Sequence, residues 1–308
     1  MKKCAVVYNP ESGKSSPLKN INNFKSIFEK YGYDFELIPT KCRYDAINIV
    51  ENMDYVDLVL VAGGDGTLNE AIEGNLRRKN KLLMAQLPFG TQNDVAHMYG
   101  LSNNIKKNLE LILSGVVKNV DICLINDKPF VYVSCMGAYV DIAYQTPRKL
   151  KEKYGRLAYI LYGIKQLKQT FHHYNIEYET NGIKDETEFS FIFITNSNRI
   201  GGVKVKDIHP DVKLNDNKFE VLLCNVKNRF DIFKALYYLK RREIDNLPGF
   251  KYFKTSEFSL EFKDVPGSSW CIDGDEYKHH TSHFDIRITK EINMLVPSKN
   301  VSELFEEE

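Results

Sequence analysis

The sequence lacks any run of about 20 apolar residues, the length a helix needs to span a bilayer. Its most apolar stretches, such as residues 189–195, are only strand-length. No Cys-x-x-Cys pair occurs among the six cysteines, which lie singly at positions 4, 42, 123, 135, 224 and 271. Cysteines so scattered read as reduced, small core residues of a cytosolic protein. No secretory leader is read at the start, where Met1-Lys2-Lys3 leads into a short strand-like run ending at Asn9-Pro10. Charge of one sign is also missing: 42 Lys and Arg face 41 Asp and Glu, a formal net charge of +1. That balance argues against a dedicated nucleic-acid binder and against an acidic disordered chain. There is no internal repeat and no low-complexity segment. The absences exclude integral membrane, disulfide-rich secreted and fibrous classes, and leave contact with a membrane surface open. The 308 residues, at about 150 per domain, suggest roughly two domains with ample core.

The first third alternates apolar runs with mixed segments. Cys4-Ala5-Val6-Val7-Tyr8, Phe35-Glu36-Leu37-Ile38, Leu58-Val59-Leu60-Val61-Ala62 and Leu82-Leu83-Met84-Ala85-Gln86-Leu87 read as strands. Between them, Leu18, Ile21, Phe24, Ile27 and Phe28 recur at helical spacing, and 43–53 can form a second helix. Continuous apolar strands alternating with helices predict a parallel sheet covered on both faces. Beyond about Val120, strands come closer together: 130–135, 176–180, 189–195, 219–224, 258–262 and 284–288, with Asn181-Gly182 as a hairpin turn. Helices are expected at about 155–170 and 229–243. The expected fold is α/β plus β: an N-terminal three-layer α/β domain over 1–122 and a C-terminal antiparallel β-sandwich domain over 123–289. The stretch of about 290–308 is free to return to the first domain.

Gly63-Gly64-Asp65-Gly66-Thr67-Leu68-Asn69-Glu70 follows an apolar strand and opens a helix. Glycines let the backbone turn tightly and approach a ligand, and free amides at a helix start suit phosphate oxygens. The string is neither a Walker A loop nor a Rossmann fingerprint. Pro88-Phe89-Gly90-Thr91-Gln92-Asn93-Asp94 follows the fourth strand, with Thr91 a candidate helix cap and Asn93 or Asp94 candidate loop anchors. Asn9-Pro10-Glu11-Ser12-Gly13-Lys14 follows the first strand and Thr40 the second. Ligands of open parallel sheets bind outside the carboxyl ends of strands, so convergence of these segments favours a nucleotide site over ordinary turns.

The Gly-Gly-Asp-Gly-Thr loop with the 88–94 element resembles the diacylglycerol kinase catalytic domain, whose superfamily includes sphingosine kinases and bacterial lipid kinases with an NAD-kinase-like fold. Val120-Asp121-Ile122 resembles the family's junction segment. Tyr144-Gln145-Thr146-Pro147-Arg148-Lys149-Leu150-Lys151 and Gly155-Arg156-Leu157-Ala158-Tyr159 look like the soluble bacterial diacylglycerol kinases. Lys213-Leu214-Asn215-Asp216-Asn217-Lys218-Phe219 and Ile272-Asp273-Gly274-Asp275 complete the order. The resemblance implies an ATP site between two domains, with Asn9, Pro10, Glu11, Ser12, Gly13, Thr40, Gly63, Gly64, Asp65, Gly66, Thr67, Leu68, Asn69 and Thr91 binding nucleotide. Asp65 would act through magnesium and phosphate. Lys213, Asp216 and Lys218 match a structural Mg2+ site, with a carboxylate from Asp216 and backbone carbonyls from the lysines. Asp273-Gly274-Asp275 looks like the family's Asp-Gly-Glu, whose acid accepts the lipid hydroxyl proton. Flanking a glycine on a strand, the two aspartates would share a face, and either could be the base. Asp121 is a further acidic catalytic candidate. Asp275 replaces a longer Glu, while Asn217 and Cys123 each replace a Gly; Asn tolerates a left-handed turn.

The implied reaction is γ-phosphoryl transfer from ATP to a lipid alcohol, diacylglycerol first, in a cytoplasmic enzyme that docks reversibly on an anionic membrane. The basic-aromatic stretches 148–156 and 234–242 could make that contact, or be solvated helix faces. No nucleic-acid partner is expected, and a homodimer is a possible assembly. An NAD kinase shares the glycine loop and is the rival enzyme; a non-catalytic nucleotide-binding regulator is the rival from another class. His279, His280 and His283 read as loop histidines rather than metal ligands, and Trp270 as packing.

Overall fold

A computed structural model describes residues 1–12, 23–137, 172–200, 203–204, 212–228, 230–231, 234, 237–238, 241, 243 and 246–307. The chain divides into two compact units. The first holds Met1–Ile122, Lys213–Asp216 and Thr289–Glu308; the second holds Cys123–Val212 and Asn217–Ile288.

In the first unit the elements run β1 (Lys2–Tyr8), α1 (Lys25–Lys30), β2 (Tyr33–Pro39), α2 (Asp45–Glu51), β3 (Leu58–Gly63), α3 (Asp65–Arg77), β4 (Met84–Pro88), α4 (Asp94–Met98), α5 (Ile105–Leu113) and β5 (Val116–Ile125). The strands lie parallel in the order β2-β1-β3-β4. Every residue of β3 and β4 is buried, as a sheet covered on both faces requires. Alternate residues Cys4, Val6, Leu58 and Leu60 pack with Ile27 and Phe28 of α1 and Leu109 and Ile112 of α5. Helix α2 lies against α3 so closely that a Cβ on Gly74 would sit 2.3 Å from the Ile47 carbonyl oxygen. Strand β4 starts two residues later than the apolar run suggests. The Asn75 side chain takes both backbone groups of Leu82, accepting its N–H at 2.9 Å and donating to its carbonyl at 2.8 Å.

The second unit is antiparallel. Its strands are β6 (Lys128–Phe130), β7 (Val133–Gly137), β8 (Tyr174–Thr180), β9 (Ile183–Phe189), β10 (Phe191–Thr195), the short pair β11 (Arg199–Ile200) and β12 (Val203–Lys204), β13 (Phe219–Cys224), β14 (Phe250–Thr255), β15 (Glu257–Phe262), β16 (Trp270–Ile272), β17 (Asp275–Tyr277) and β18 (His283–Val296). One sheet runs β14-β13-β10-β7-β16-β17, and β18-β15-β8-β9 run together in another. Met136, Ile192, Phe219 and Trp270 share one core with Ile176, Phe189, Phe258 and Phe284, so the two layers bury their inner faces on each other. Asn181 and Gly182, at φ 50° and 73°, turn β8 into β9.

The expected single strand over 189–195 is two. Ser190 leaves the ladder because its N–H and hydroxyl both reach the Cys224 carbonyl, at 2.8 and 3.1 Å, while its oxygen accepts from Val226 N–H at 2.8 Å. The expected strand over 130–135 begins at Val133, residues 131–132 lying outside it. The last strand, expected over 284–288, runs on to Val296; its residues from Thr289 belong to the first unit, where Met294 pairs parallel with Met84 of β4. Helix α6 (Val301–Leu304) follows. The helix expected at 155–170, the 144–159 motif and the 148–156 stretch lie outside the described residues. Of the helix expected at 229–243, residues 230, 231, 234, 237 and 238 are helical.

Candidate active site

The carboxyl ends of the four parallel strands share one edge, and the order β2-β1-β3-β4 reverses direction between β1 and β3. Such a reversal opens a crevice at the strand ends. Asn9 sits there, its N–H donating to the Ala62 carbonyl at 3.3 Å. Its side-chain oxygen accepts from Glu11 N–H at 2.9 Å and its carbonyl from Ser12 N–H at 3.1 Å, a compact polar turn with Pro10 exposed. Thr40 is buried beside it and donates its N–H to Tyr8 at 2.9 Å. Gly13 lies outside the described residues.

Next along the edge is the glycine loop. Gly64 caps α3 in an extended conformation, with no side chain closing the helix end. The first helical bond runs from Leu68 N–H to Gly64 at 3.1 Å, so the amides of Asp65, Gly66 and Thr67 precede the helical ladder. Thr67 and Asn69 are buried, and Leu68 places its side chain in the core. The loop touches the 88–94 element backbone to backbone. A Cβ on Gly90 would lie 2.5 Å from Gly64 Cα and 2.6 Å from Asn93 Oδ1, and one on Gly63 would lie 2.7 Å from Thr67 Cβ.

Asp65 joins the two loops. Its carboxylate accepts from the N–H of Asp94 at 2.8 Å, from the N–H of Val95 at 3.3 Å and from Gln86 Nε2 at 3.3 Å. It therefore supplies the acceptor at the start of α4. Thr91, expected as that cap, is exposed, and the cap position belongs to Asn93, held left-handed at φ 53°. Burial pushes the Asp65 carboxyl up to about 6; N–H donors of Asp94, Val95 and Gln86 pull it down, while the Asp94 carboxylate adds to the rise. Two side-chain oxygens here, Gln86 Oε1 and Asn93 Oδ1, are buried without a hydrogen-bond partner.

The second unit carries Asp273 and Asp275. Asp273 and Gly274 form the two-residue turn between β16 and β17, with Ile272 paired to Asp275 and φ of 49° and 90°. Both central residues at positive φ mark the turn type favoured by Asp-Gly. Asp273 is thus a turn residue, and the expectation that it shares a strand face with Asp275 is corrected. Its buried carboxylate accepts three backbone N–H groups, Val131 at 2.7 Å, Tyr132 at 3.1 Å and Val133 at 3.0 Å. Asp275 begins β17 and is exposed.

Residues 213–216 fold onto the C-terminal segment of the first unit. The Lys213 ammonium donates to the carbonyls of Ser302, Glu303 and Phe305 at 2.9, 3.1 and 3.3 Å. Leu214 accepts from the N–H of Asp121 at 2.7 Å. Asp121 is fully buried, with Lys290 Nζ 3.8 Å from its carboxylate. Asp216 is half-buried, Asn217 is left-handed at φ 60°, and Lys218 is exposed. Among the described residues no group of three or more His, Cys, Asp or Glu stands ready to hold a metal. An ion at Asp216 would rest on one carboxylate and backbone carbonyls, an all-oxygen set of the hardness magnesium takes. His283 instead lies between Glu261 and Asp285, at 2.8 and 3.1 Å.

Residues 3–125 match the family model described as the diacylglycerol kinase catalytic domain. The chain is 27% identical over 307 residues to the diacylglycerol kinase of Bacillus subtilis (strain 168), covering 99% of each. It is 28% identical over 306 residues to that of Staphylococcus aureus (strain MRSA252), covering 98% of this chain and 95% of the other. The chain is similar over nearly its whole length to these lipid kinases. A crystal structure of a diacylglycerol kinase from Bacillus anthracis str. Sterne superposes with a TM-score of 0.71 at 20% identity, over 96% of this chain and 97% of that one, which speaks for the fold. Among the described residues no helix is long and apolar enough to cross a membrane.

Two contributors to the kinase's edge escaped the sequence reading. Gln86 bonds to Asp65 from inside β4, and the lone polar residue in that apolar strand was the available signal. The other is the Asp65 carboxylate as anchor of α4, which joins residues 29 and 30 positions apart and leaves no mark in local spacing.

Proposed function

We propose that this kinase transfers the γ-phosphoryl group of ATP to the hydroxyl of diacylglycerol, giving phosphatidic acid. The observation that carries the nucleotide half is the contact of the two glycine loops beside the sheet's reversal point. Three amides stand ahead of the α3 ladder, glycines leave room where a Cβ would collide, and Asn93 Oδ1 is buried without a partner. Helix-start amides suit phosphate, so the triphosphate would lie on residues 64–67 with Asn9 and Thr40 alongside. Magnesium, when bound, would neutralise charge on the triphosphate and, at Asp216, brace residues 213–218.

Phosphoryl transfer needs positioning and charge neutralisation more than covalent help. Asp65 holds the two loops in one arrangement. Asp275, exposed at the start of β17, would take the hydroxyl proton, since the Asp273 oxygens are engaged by three amides. A carboxylate base of this kind contributes about 10²–10⁴-fold.

The acceptor would come from the cytoplasmic face of an anionic membrane through reversible contact. Phe230 and Tyr237 are 62% and 56% exposed, and Arg241 lies over the Tyr237 ring. Each basic residue near an anionic surface adds about 1 kcal/mol. The test is label transfer from γ-labelled ATP to a panel of lipid alcohols in anionic vesicles and to NAD, with and without magnesium. Label in phosphatidic acid supports the reading. Label in NAD alone points to the rival kinase, and nucleotide binding without transfer to a regulator.

A further inference from the structure

The peptide unit at Tyr132 is held from two sides by groups to which the proposed chemistry assigns no part. On one side the Asp273 carboxylate accepts the N–H groups of Val131, Tyr132 and Val133, at 2.7, 3.1 and 3.0 Å. Asp273 also returns a bond, its own N–H donating to the Val133 carbonyl at 2.9 Å. On the other side the Tyr132 carbonyl accepts the Thr195 hydroxyl at 2.7 Å and the Asn196 N–H at 3.2 Å. Thr195 and Asn196 are almost fully buried, and Tyr132 and Asp273 are 7% and 8% exposed. Residues 131–132 belong to no strand, so these bonds stand where ladder bonds would otherwise fix the chain.

The clamp ends at the proposed base. Asp273 and Gly274 are the turn that presents Asp275, and a Cβ on Gly274 would lie 4.0 Å from the Tyr132 hydroxyl. The left-handed conformation of Asp273, φ 49°, is uncommon outside Gly, Asn and Asp, and needs surroundings that define it. Three amide bonds to one short side chain supply that definition. Asparagine is nearly isosteric but brings one amide nitrogen where aspartate brings a second acceptor. At least one of the three N–H groups would then lose its acceptor in a buried place.

We propose that Thr195 and Asp273 are positioning residues that clamp the Tyr132 peptide from opposite sides and thereby fix the turn that aims Asp275. The inference rests on the assignment of Asp275 as base in the proposed lipid kinase reaction. Displacing a reacting group by about 1 Å can cost about 100-fold in rate. Asp273→Asn is therefore expected to lower kcat by about that factor with KM for ATP unchanged. Thr195→Val should show the same split to a smaller degree, and Thr195→Ser should restore wild-type kcat by restoring the hydroxyl donor.

The experiment measures lipid phosphorylation across pH, KM for ATP and backbone amide exchange over residues 129–135 and 271–277, for wild type, Asp273→Asn, Thr195→Val, Thr195→Ser and Asp275→Asn. The clamp predicts faster exchange in both segments for Asp273→Asn and Thr195→Val, and slow exchange for Thr195→Ser. It also predicts that the acid limb of the kcat profile survives in Asp273→Asn and disappears in Asp275→Asn. Loss of that limb in Asp273→Asn would overturn the proposal, because Asp273 would then be the titrating base. So would wild-type exchange in Thr195→Val, or equal kcat for Thr195→Val and Thr195→Ser. Wild-type protein inactive on every lipid alcohol would overturn the proposed reaction and with it the aiming role, while the exchange measurements would still decide the clamp itself.

Discussion

Asp65 lends itself to a quantitative test because its carboxylate is buried between two loops and carries its own pH signature. Burial raises its ionisation from 3.8 to about 6 against the opposing pull of N–H donors. In the unfolded chain the group ionises near 3.9. Between about pH 4 and pH 6 the folded protein therefore binds more protons at this site than the unfolded one, and stability falls as pH rises. At about 1.4 kcal/mol per pH unit, the interval corresponds to about 3 kcal/mol, fully present at low pH and lost above about pH 6. In Asp65→Asn that dependence vanishes. The variant should carry a constant offset of about 1–3 kcal/mol, because asparagine cannot accept every bond that Asp94, Val95 and Gln86 make to the carboxylate. Urea unfolding of both proteins at steps from pH 4 to 7 should show the wild-type advantage shrinking by about 3 kcal/mol, or reversing. Parallel curves, or an advantage that grows with pH, would refute the reasoning.

Three further outcomes follow from distances. Gly90→Ala would put a Cβ 2.5 Å from Gly64 Cα, so the loops must part, and calorimetric titration should show ATP affinity reduced at least about tenfold, or about 1.4 kcal/mol. Gly74→Ala would drive a Cβ to 2.3 Å from the Ile47 carbonyl oxygen, and denaturant unfolding should record a loss of about 1–3 kcal/mol from overpacking. Lys213→Met removes the donor to three carbonyls of the C-terminal segment, and amide exchange at 301–305 should accelerate by the equivalent of about 1 kcal/mol while β1 and β3 stay protected.

The parallel strands and the polar turns at their carboxyl ends were legible because their signals are local. A strand buried on both faces, such as Leu58–Gly63, must be apolar throughout, and the residues after it must be ones that turn without a Cβ or with a capping side chain. The same locality placed Asn181-Gly182 and the left-handed Asn217. What escaped is decided by bonds between distant positions. The break at Ser190 depends on the Cys224 carbonyl, and the late start of β4 on the Asn75 amide. Asp273-Gly274-Asp275 is compatible with a strand and with a turn, and the amides of residues 131–133 select the turn. The long reach of β18 to Val296 was hidden by Lys290 and Glu291, whose charges interrupt the apolar alternation.

The central claim is that one exposed acid, Asp275, serves phosphoryl transfer from ATP to diacylglycerol. Its most direct test compares wild type with Asp275→Asn for label transfer from γ-labelled ATP to diacylglycerol in anionic vesicles, with ATP affinity measured on the same samples. The account predicts labelled phosphatidic acid from the wild type, a loss of at least about 100-fold in the variant, and equal ATP affinity in both. Undiminished transfer by Asp275→Asn, or a wild type that binds ATP and labels no lipid, would contradict it.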